Sequence, residues 1–328
     1  MVWLTGILGL VILLLAGDLL VRGAVNVALR VGIPALIVSL TIVAFGTSAP
    51  ELLISVDAVL EGVPGLAYGN VVGSNVANIL LVLGVPAVLS RLHTSGFDTR
   101  KSYMTMVGAT LIFIALCFTA PLTWWHGLIL LGLLAFILWD QARDAIRHRR
   151  QIKAAAAEEA AAAAGDGEED VEGADPGMAG WKIAVFLILG LIGLPLGADM
   201  FVDSAVEIAE MFGVSDTVLG LTLVALGTSL PELATTVMAA IRRQADVALG
   251  NVIGSNMFNL LAILGVAAMV GPIPVGSPFQ SYDLWIMLGA SLLIAPFVFK
   301  RDLDLTRRWG LLLSVLYILY IAIVVLYR

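Results

Sequence analysis

Apolar stretches of about 20 residues, each long enough to cross the roughly 30 Å hydrocarbon layer of a bilayer as a helix, follow one another along this chain. Only short polar turns separate them. Reading between turn and charge signals gives ten spans, at 3–30, 34–61, 66–90, 102–119, 122–146, 181–211, 215–242, 246–269, 281–300 and 307–327. The first and sixth are the longest. Composition points the same way: 60% of the 328 residues are hydrophobic, 13% are charged, and mean hydropathy is +0.99. A soluble fold cannot bury that much apolar surface. A cytosolic enzyme, a nucleic-acid binder and a secreted disulfide scaffold are therefore excluded, and the expected class is an all-α integral membrane protein. The single cysteine, Cys117, lies in an apolar run and reads as a small packing residue. Met1-Val2-Trp3 lacks a basic leader, so the first span is expected to stay in the membrane rather than be cleaved.

Charge orients the chain. With the N-terminus outside, 17 of the 18 Lys and Arg fall in the odd-numbered connections or their flanking helix ends, and only Arg328 does not. The positive-inside rule selects this orientation. It predicts a multi-pass protein of the cell membrane with both termini outside and segment 147–180 in the cytoplasm. The formal charge of −7 is local in origin: Ala154 to Met178 holds eight acids and no base, which leaves −7 + 8 = +1 elsewhere. Ala154 to Ala164 can extend a helix, whereas Gly165 to Met178 has almost no large apolar residue and reads as a flexible linker. Its acids do not follow the EF-hand pattern.

The two parts flanking this linker, 1–146 and 181–328, are related. Residues 41–84 align with 222–265 at a constant offset of 181, without a gap, and 22 of 44 positions are identical. The shared blocks are AFGTSAPEL (44–52) against ALGTSLPEL (225–233), and GNVVGSNVAN (69–78) against GNVIGSNMFN (250–259). Each part holds five spans, an odd number, so the second part enters the membrane from the opposite side. The expected architecture is two inverted-topology five-helix repeats, an arrangement common among secondary transporters.

The shared blocks carry unusual chemistry. Glu51 and Glu232 each lie near the middle of an otherwise apolar span. On insertion scales an aspartate at that depth costs about 2.5–3.5 kcal/mol, so such a carboxylate needs a cation, a proton or a basic partner. The basic residues sit at the cytoplasmic ends, which leaves a cation or proton. Pro50 and Pro231 immediately precede the glutamates and break the helix against Gly46 and Gly227. Freed carbonyls around Ala44–Thr47 and Ala225–Thr228 can then point inward, which a membrane tolerates only at a cavity or a buried site. Thr47, Ser48, Thr228 and Ser229 add hydroxyls. Ser74 and Asn78, four residues apart, share a helix face, as do Ser255 and Asn259. Asn70, Asn75, Asn251 and Asn256 are expected to hydrogen-bond between helices, and the glycines of GNxxGSN to permit close helix contact. Carboxylate, amide, hydroxyl and carbonyl oxygens, without thiolate or imidazole, suit hard cations such as Ca²⁺ and Na⁺. One Ca²⁺ or two Na⁺ neutralise the two glutamates.

The paired motifs GTSxPE and GNxxGSN, at 36–84 and 217–265, resemble the two α-repeats of the cation/Ca²⁺ exchanger superfamily, specifically its prokaryotic Na⁺/Ca²⁺ exchangers. The resemblance implies two interlocked five-helix halves around a midplane cluster on helices two, three, seven and eight. By carry-over, Glu51 and Glu232 bind Ca²⁺ and share Na⁺. Thr47, Thr228, Ser48, Ser229, Ser74 and Ser255 supply oxygens with the Ala44 and Ala225 carbonyls, and Asn78 and Asn259 complete the site. It also implies that helices one and six slide across this core. The function implied is Ca²⁺/Na⁺ antiport, with both ions as substrates, no cofactor, and neither nucleic acid nor a protein partner. Some relatives carry Asp at one central position, where this chain has Asn78 and Asn259. That departure keeps H⁺ coupling and K⁺ dependence open as alternatives. The short central connection has no room for the large regulatory domain of animal relatives.

Asp18 and Asp199 also match at the offset of 181 and are candidates for an access path, although Arg22 stands four residues from Asp18 as a local ion-pair partner. An enzyme is not expected: His93, His126 and His148 lie in or near connections, far in depth from Ser74 and Ser255, and GNVVGSN lacks the lysine of a phosphate-binding loop. Broken midplane helices in inverted repeats favour alternating access over a channel. Deletion of 158–174 is expected to leave cation flux into vesicles intact; a correctly inserted but inactive deletion would contradict the linker reading.

Overall fold

The computed structural model describes residues 2–94, 98–162, 175, 177–211, 225–275, 278–300 and 303–327. Their regular elements are all helical: α1 (Val2–Val31), α2 (Ala35–Thr47), α3 (Ala49–Leu60), α4 (Pro64–Leu89), α5 (Arg100–Cys117), α6 (Trp124–Ala162), α7 (Gly180–Met211), α8 (Ala225–Thr228), α9 (Leu230–Ile241), α10 (Ala245–Val270), α11 (Pro278–Leu293), α12 (Ala295–Phe299) and α13 (Arg307–Tyr327). Among the described residues seven helices are long and apolar enough to cross a membrane. Counting the bent pair α2–α3, broken by 43°, as one span makes eight. Two of the ten expected spans are missing from that number. The helix at 102–119, α5, carries Arg100, Lys101 and Ser102 in its first turn, which lowers its hydropathy. Of 215–242, residues 215–224 lie outside the described residues, and the remainder is divided into α8 and the 12-residue α9. The protein is thus an all-helical, multi-pass membrane protein. The expected linker is described only at its edges: α6 runs to Ala162, while 163–174 and 176 lie outside the described residues.

Burial sorts the helices into a centre and a periphery. The most apolar windows of α4 and α10 are 78% and 89% buried, against 33%, 22% and 17% for α1, α7 and α13. The motif-bearing helices α4 and α10 therefore form the centre. The outer faces of α1, α7 and α13 display Leu4, Ile7, Ile188, Ile192, Leu319 and Ile323, as surfaces in contact with lipid do. Two pairs of connections also interlock the halves. Leu92 and Leu305 exchange backbone hydrogen bonds of 3.1 Å, and Leu122 and Ile273 exchange bonds of 2.8 Å. Leu92 and Ile273 are themselves related by the offset of 181.

Among the described residues, the long helices α1 and α7 pack against each other more extensively than any other pair. Small residues make this possible. A Cβ on Gly197 would stand 2.6 Å from Leu13 N and 2.9 Å from Gly9 O, so the backbones touch. In a bilayer, where lipid is as apolar as leucine, such close packing is a main source of helix affinity. Gly197→Val is expected to destabilise the detergent-solubilised protein by about 1–3 kcal/mol, as overpacking does. Thermal denaturation would report it, and an unchanged melting temperature would reject the backbone contact.

Candidate cation-binding site

The site begins with a helix break. Pro50 has no N–H to give Gly46, and Pro231 none to give Gly227. Each helix stops at a serine, Ser48 (φ −87°, ψ 5°) or Ser229 (φ −89°, ψ 3°), and restarts with proline in its first turn. Glu51 and Glu232 then occupy the first turns of α3 and α9. There the unsatisfied N–H groups and the positive end of the helix dipole favour a negative side chain. Ser-x-x-Glu is also the pattern of a capping box, a second sequence signal for a helix start at these positions. Neither serine uses its hydroxyl to cap its own helix. Ser48 Oγ instead donates 3.0 Å to Glu232 Oε1, across the two repeats.

Glu51 and Glu232 are both fully buried. Ser48, three residues before Glu51, bonds to Glu232, which brings the two acids to one site. Among the described residues, neither oxygen of Glu51 has a hydrogen-bond partner, nor does Glu232 Oε2. Around them Thr47, Ser48, Ser74, Asn78, Thr228, Ser229, Ser255 and Asn259 are all buried. Thr47 Oγ1 lies 3.5 Å from Ser255 Oγ, which joins the first repeat's helix break to the second repeat's GSN motif. The oxygens of Ser74 and Ser229, and Oδ1 of Asn75, Asn78 and Asn259, also lack partners. Orphaned buried polar atoms are rare in folded proteins. Here eight oxygens of that kind, from two acids and five neutral residues, belong to the repeated motifs. The donor set fits a hard cation.

Local geometry opens the helices at the central asparagines. Asn78 and Asn259 each begin a five-residue π-helical segment, Asn78–Val82 and Asn259–Ile263. A third, Ser39–Val43, precedes Ala44. Such wide turns recur at functional sites, and no residue pattern in the sequence announced them. Gly250 and Gly254 lie against α2: a Cβ on Gly254 would be 2.6 Å from Leu40 O, and one on Gly250 3.0 Å from Leu36 O. For Gly69 and Gly73 the corresponding neighbours by offset, at 217 and 221, lie outside the described residues.

The asparagines expected to tie helices together divide into two groups. Asn256 Oδ1 accepts from Asn78 Nδ2 at 3.0 Å, and Asn256 Nδ2 reaches Asn75 O at 3.5 Å, linking α4 with α10. The Asn75 side chain makes no bond. Asn70 and Asn251 repeat one pattern. Each donates to the backbone carbonyl of its glutamate, at 3.4 and 3.3 Å, and to a hydroxyl, Ser55 at 3.2 Å and Thr236 at 3.1 Å. Ser55 and Thr236 did not figure among the expected site residues, although both are hydroxylic at matching offset.

Two expectations meet a more complicated structure. The Ala44 carbonyl already accepts from Ser48 N at 3.1 Å and from Thr47 Oγ1 at 3.3 Å, so the helix break does not strip it of donors. In the second repeat Ser229 N turns to Leu226 O at 3.1 Å rather than repeating that bond on Ala225. Asp18 is held by two arginines: Arg22 Nε lies 3.0 Å away, and Arg242 Nε forms a second short contact. Its counterpart Asp199 lines a cavity of about 540 Å³ with Asp203, Pro50, Pro195, Thr228 and Pro231.

Comparison with known proteins places this geometry. The family model described as sodium/calcium exchanger protein matches residues 1–142 and 182–326. The chain is 32% identical to the sodium/calcium exchanger MaX1 of Methanosarcina acetivorans over 344 aligned positions, which cover 97% of this chain and 96% of that protein. It is 34% identical to the putative antiporter CaxA of Alkalimonas amylolytica, over 87% of this chain and 86% of that one. The solved sodium/calcium exchanger from Methanococcus jannaschii superposes with a TM-score of 0.78 at 31% identity, covering 98% of this chain and 99% of that one.

A cation bound between buried carboxylates stabilises the fold by mass action, about 2.7 kcal/mol at 100 times its dissociation constant. Ca²⁺ is therefore expected to raise the melting temperature of the purified protein. Glu51→Gln and Glu232→Gln should each fold and lose most of that rise. A full Ca²⁺-dependent rise in either variant would remove that glutamate from the site.

Proposed function

This chain belongs to the sodium/calcium exchanger protein family, and from that premise we propose that it exchanges Ca²⁺ for Na⁺ across the cell membrane by alternating access around Glu51 and Glu232. The observation that carries this reading is the paired carboxylates, fully buried, with three of their four oxygens lacking a hydrogen-bond partner among the described residues. Such a pair demands positive charge from outside the protein. One Ca²⁺ or two Na⁺ supply it equally, and competition for one neutralising role is what couples the two fluxes. Thr47, Thr228, Ser48, Ser229, Ser74, Ser255, Asn78 and Asn259 replace hydration oxygens, with the carbonyls of Ala44 and Ala225 as further candidate donors.

The same reading assigns ten spans in two inverted repeats, with both termini outside and 147–180 in the cytoplasm. Constant-offset motifs and the one-sided distribution of Lys and Arg support it. The cavity beside Asp199 and Asp203 reaches Thr228 and the two prolines, which supports cation access along α7. On α1 the matching acid is tied up by Arg22 and Arg242, which supports closure on that side. Exchange between the two sides follows if α1 and α7, packed through their glycines, move together across the core.

One observation favours a second reading, H⁺ in place of Na⁺: Asn78 and Asn259 leave the site only two carboxylates. Two protons discharge such a pair as completely as two Na⁺. Radioactive Ca²⁺ uptake into proteoliposomes separates the readings. With Na⁺, K⁺ and pH gradients imposed one at a time, the outward Na⁺ gradient alone is expected to drive uptake. Uptake on a pH gradient in Na⁺-free medium would replace Na⁺ by H⁺.

A further inference from the structure

Asn70 and Asn251 lie one turn before the serines of GNxxGSN, and neither is among the candidate ligands. We infer that they are positioning residues, which set the hydroxyl orientation of Thr228 and Thr47 so that oxygen lone pairs, not protons, face the transported cation. The inference rests on the exchange reading above.

An amide side chain has one donating end and one accepting end. Asn251 Nδ2 sits 3.3 Å from Glu232 O, a backbone carbonyl that only accepts. The NH₂ end must therefore face the carbonyl, and its second hydrogen meets Thr236 Oγ1 at 3.1 Å. That leaves Oδ1 as the end facing Thr47, whose Oγ1 lies 3.3 Å away. Oδ1 can only accept, so Thr47 must donate. Ala44 O at 3.3 Å, Ser255 Oγ at 3.5 Å and the Glu232 carboxylate stand around the same hydroxyl, so a proton given to Asn251 is one withheld from the carboxylate. A threonine hydroxyl has one proton and two lone pairs. With the proton given to Asn251 Oδ1, both lone pairs remain for a cation. The first repeat has the same wiring: Asn70 Nδ2 faces Glu51 O and Ser55 Oγ, and Thr228 Oγ1 lies 3.5 Å from Asn70 Oδ1.

The connection crosses the repeats. Asn251 binds the glutamate carbonyl of its own half and the threonine of the other, and Asn70 does the reverse. Each asparagine thus ties one glutamate-bearing helix to the opposite helix break. Partners of this kind commonly tune a metal site by about 10–100-fold without touching the ion.

The test is a double-mutant cycle in proteoliposomes that exchange Ca²⁺ for Na⁺. Loss of Na⁺-driven flux by the wild type would refute the exchange reading and not this inference, which is scored on equilibrium Ca²⁺ affinity by calorimetry as well as on flux. Thr47→Val and Asn251→Ala are each expected to raise the Ca²⁺ KM and dissociation constant about 10-fold, and in Asn251→Ala, which removes no ligand, the rate at saturating Ca²⁺ should stay within about 3-fold. The double variant should be no worse than either single one, because the asparagine acts through the threonine. Multiplied losses, or an Asn251→Ala protein with wild-type affinity, would overturn the assignment. If Asn251→Ala does not yield a monodisperse protein, Thr236→Val frees one amide hydrogen with less disruption. Its effect should also vanish in the Thr47→Val background, and an effect that persists there would count against the proposal. Asn70→Ala with Thr228→Val gives the same cycle in the other repeat.

Discussion

Two carboxylates shut away from water, with no basic side chain bonded to them among the described residues, impose a constraint that the surrounding structure answers. An ionised carboxylate loses several kcal/mol of hydration on entering a low-dielectric interior, even after relaxation. The protein offsets part of this by starting a helix at each acid, so that Glu51 and Glu232 sit in the positive first turn. Proline makes the break possible, and the serine before it closes the preceding helix. The remaining deficit is not met by a lysine or arginine, which would neutralise the pair permanently. On the proposed reading it is met by a cation that neutral oxygens hold and release. A family of transporters requires this: binding strong enough to dehydrate the ion, with no resident charge to compete for it.

Duplication doubles that solution but does not copy it perfectly. Ser48 reaches the glutamate of the other repeat, whereas the Ser229 hydroxyl has no partner. Asp18 is locked between Arg22 and Arg242, whereas the residue at the position matching Arg22 is Asp203, beside Asp199 in an open cavity. Two halves in one conformation cannot be identical if the site opens to one side at a time. Alternation between inverted repeats requires the two to hold different conformations at any one time. The asymmetry in the salt bridges is the part of this written into the residues themselves, since an arginine and an aspartate cannot trade roles.

Residue identities and their spacing determined much of what the molecule is. Mean hydropathy dictated a membrane protein, since an apolar surface of that extent has no other solvent. The offset of 181 tied Glu51 to Glu232, and each Pro-Glu pair located the break within otherwise apolar helices. Those are local or periodic properties, and local rules read them. The span at 102–119 shows the limit of such reading: its polar first turn, Arg100 to Ser102, leaves α5 below the hydropathy of a free-standing span.

Which atoms meet was decided only by tertiary structure. The pattern Ser-x-x-Glu predicts a serine that caps its own helix, yet Ser48 bonds to a carboxylate 184 positions away. Asp18 with Arg22 one turn on looks like a simple local pair, and the fold adds Arg242 from the other half. The amide bridges of Asn70 and Asn251 likewise depend on contacts between the repeats. A sequence carries the preferences of each segment for itself and for water. It does not state which buried hydroxyl finds which acceptor, because that is settled by how two helix breaks from distant parts of the chain close on one another.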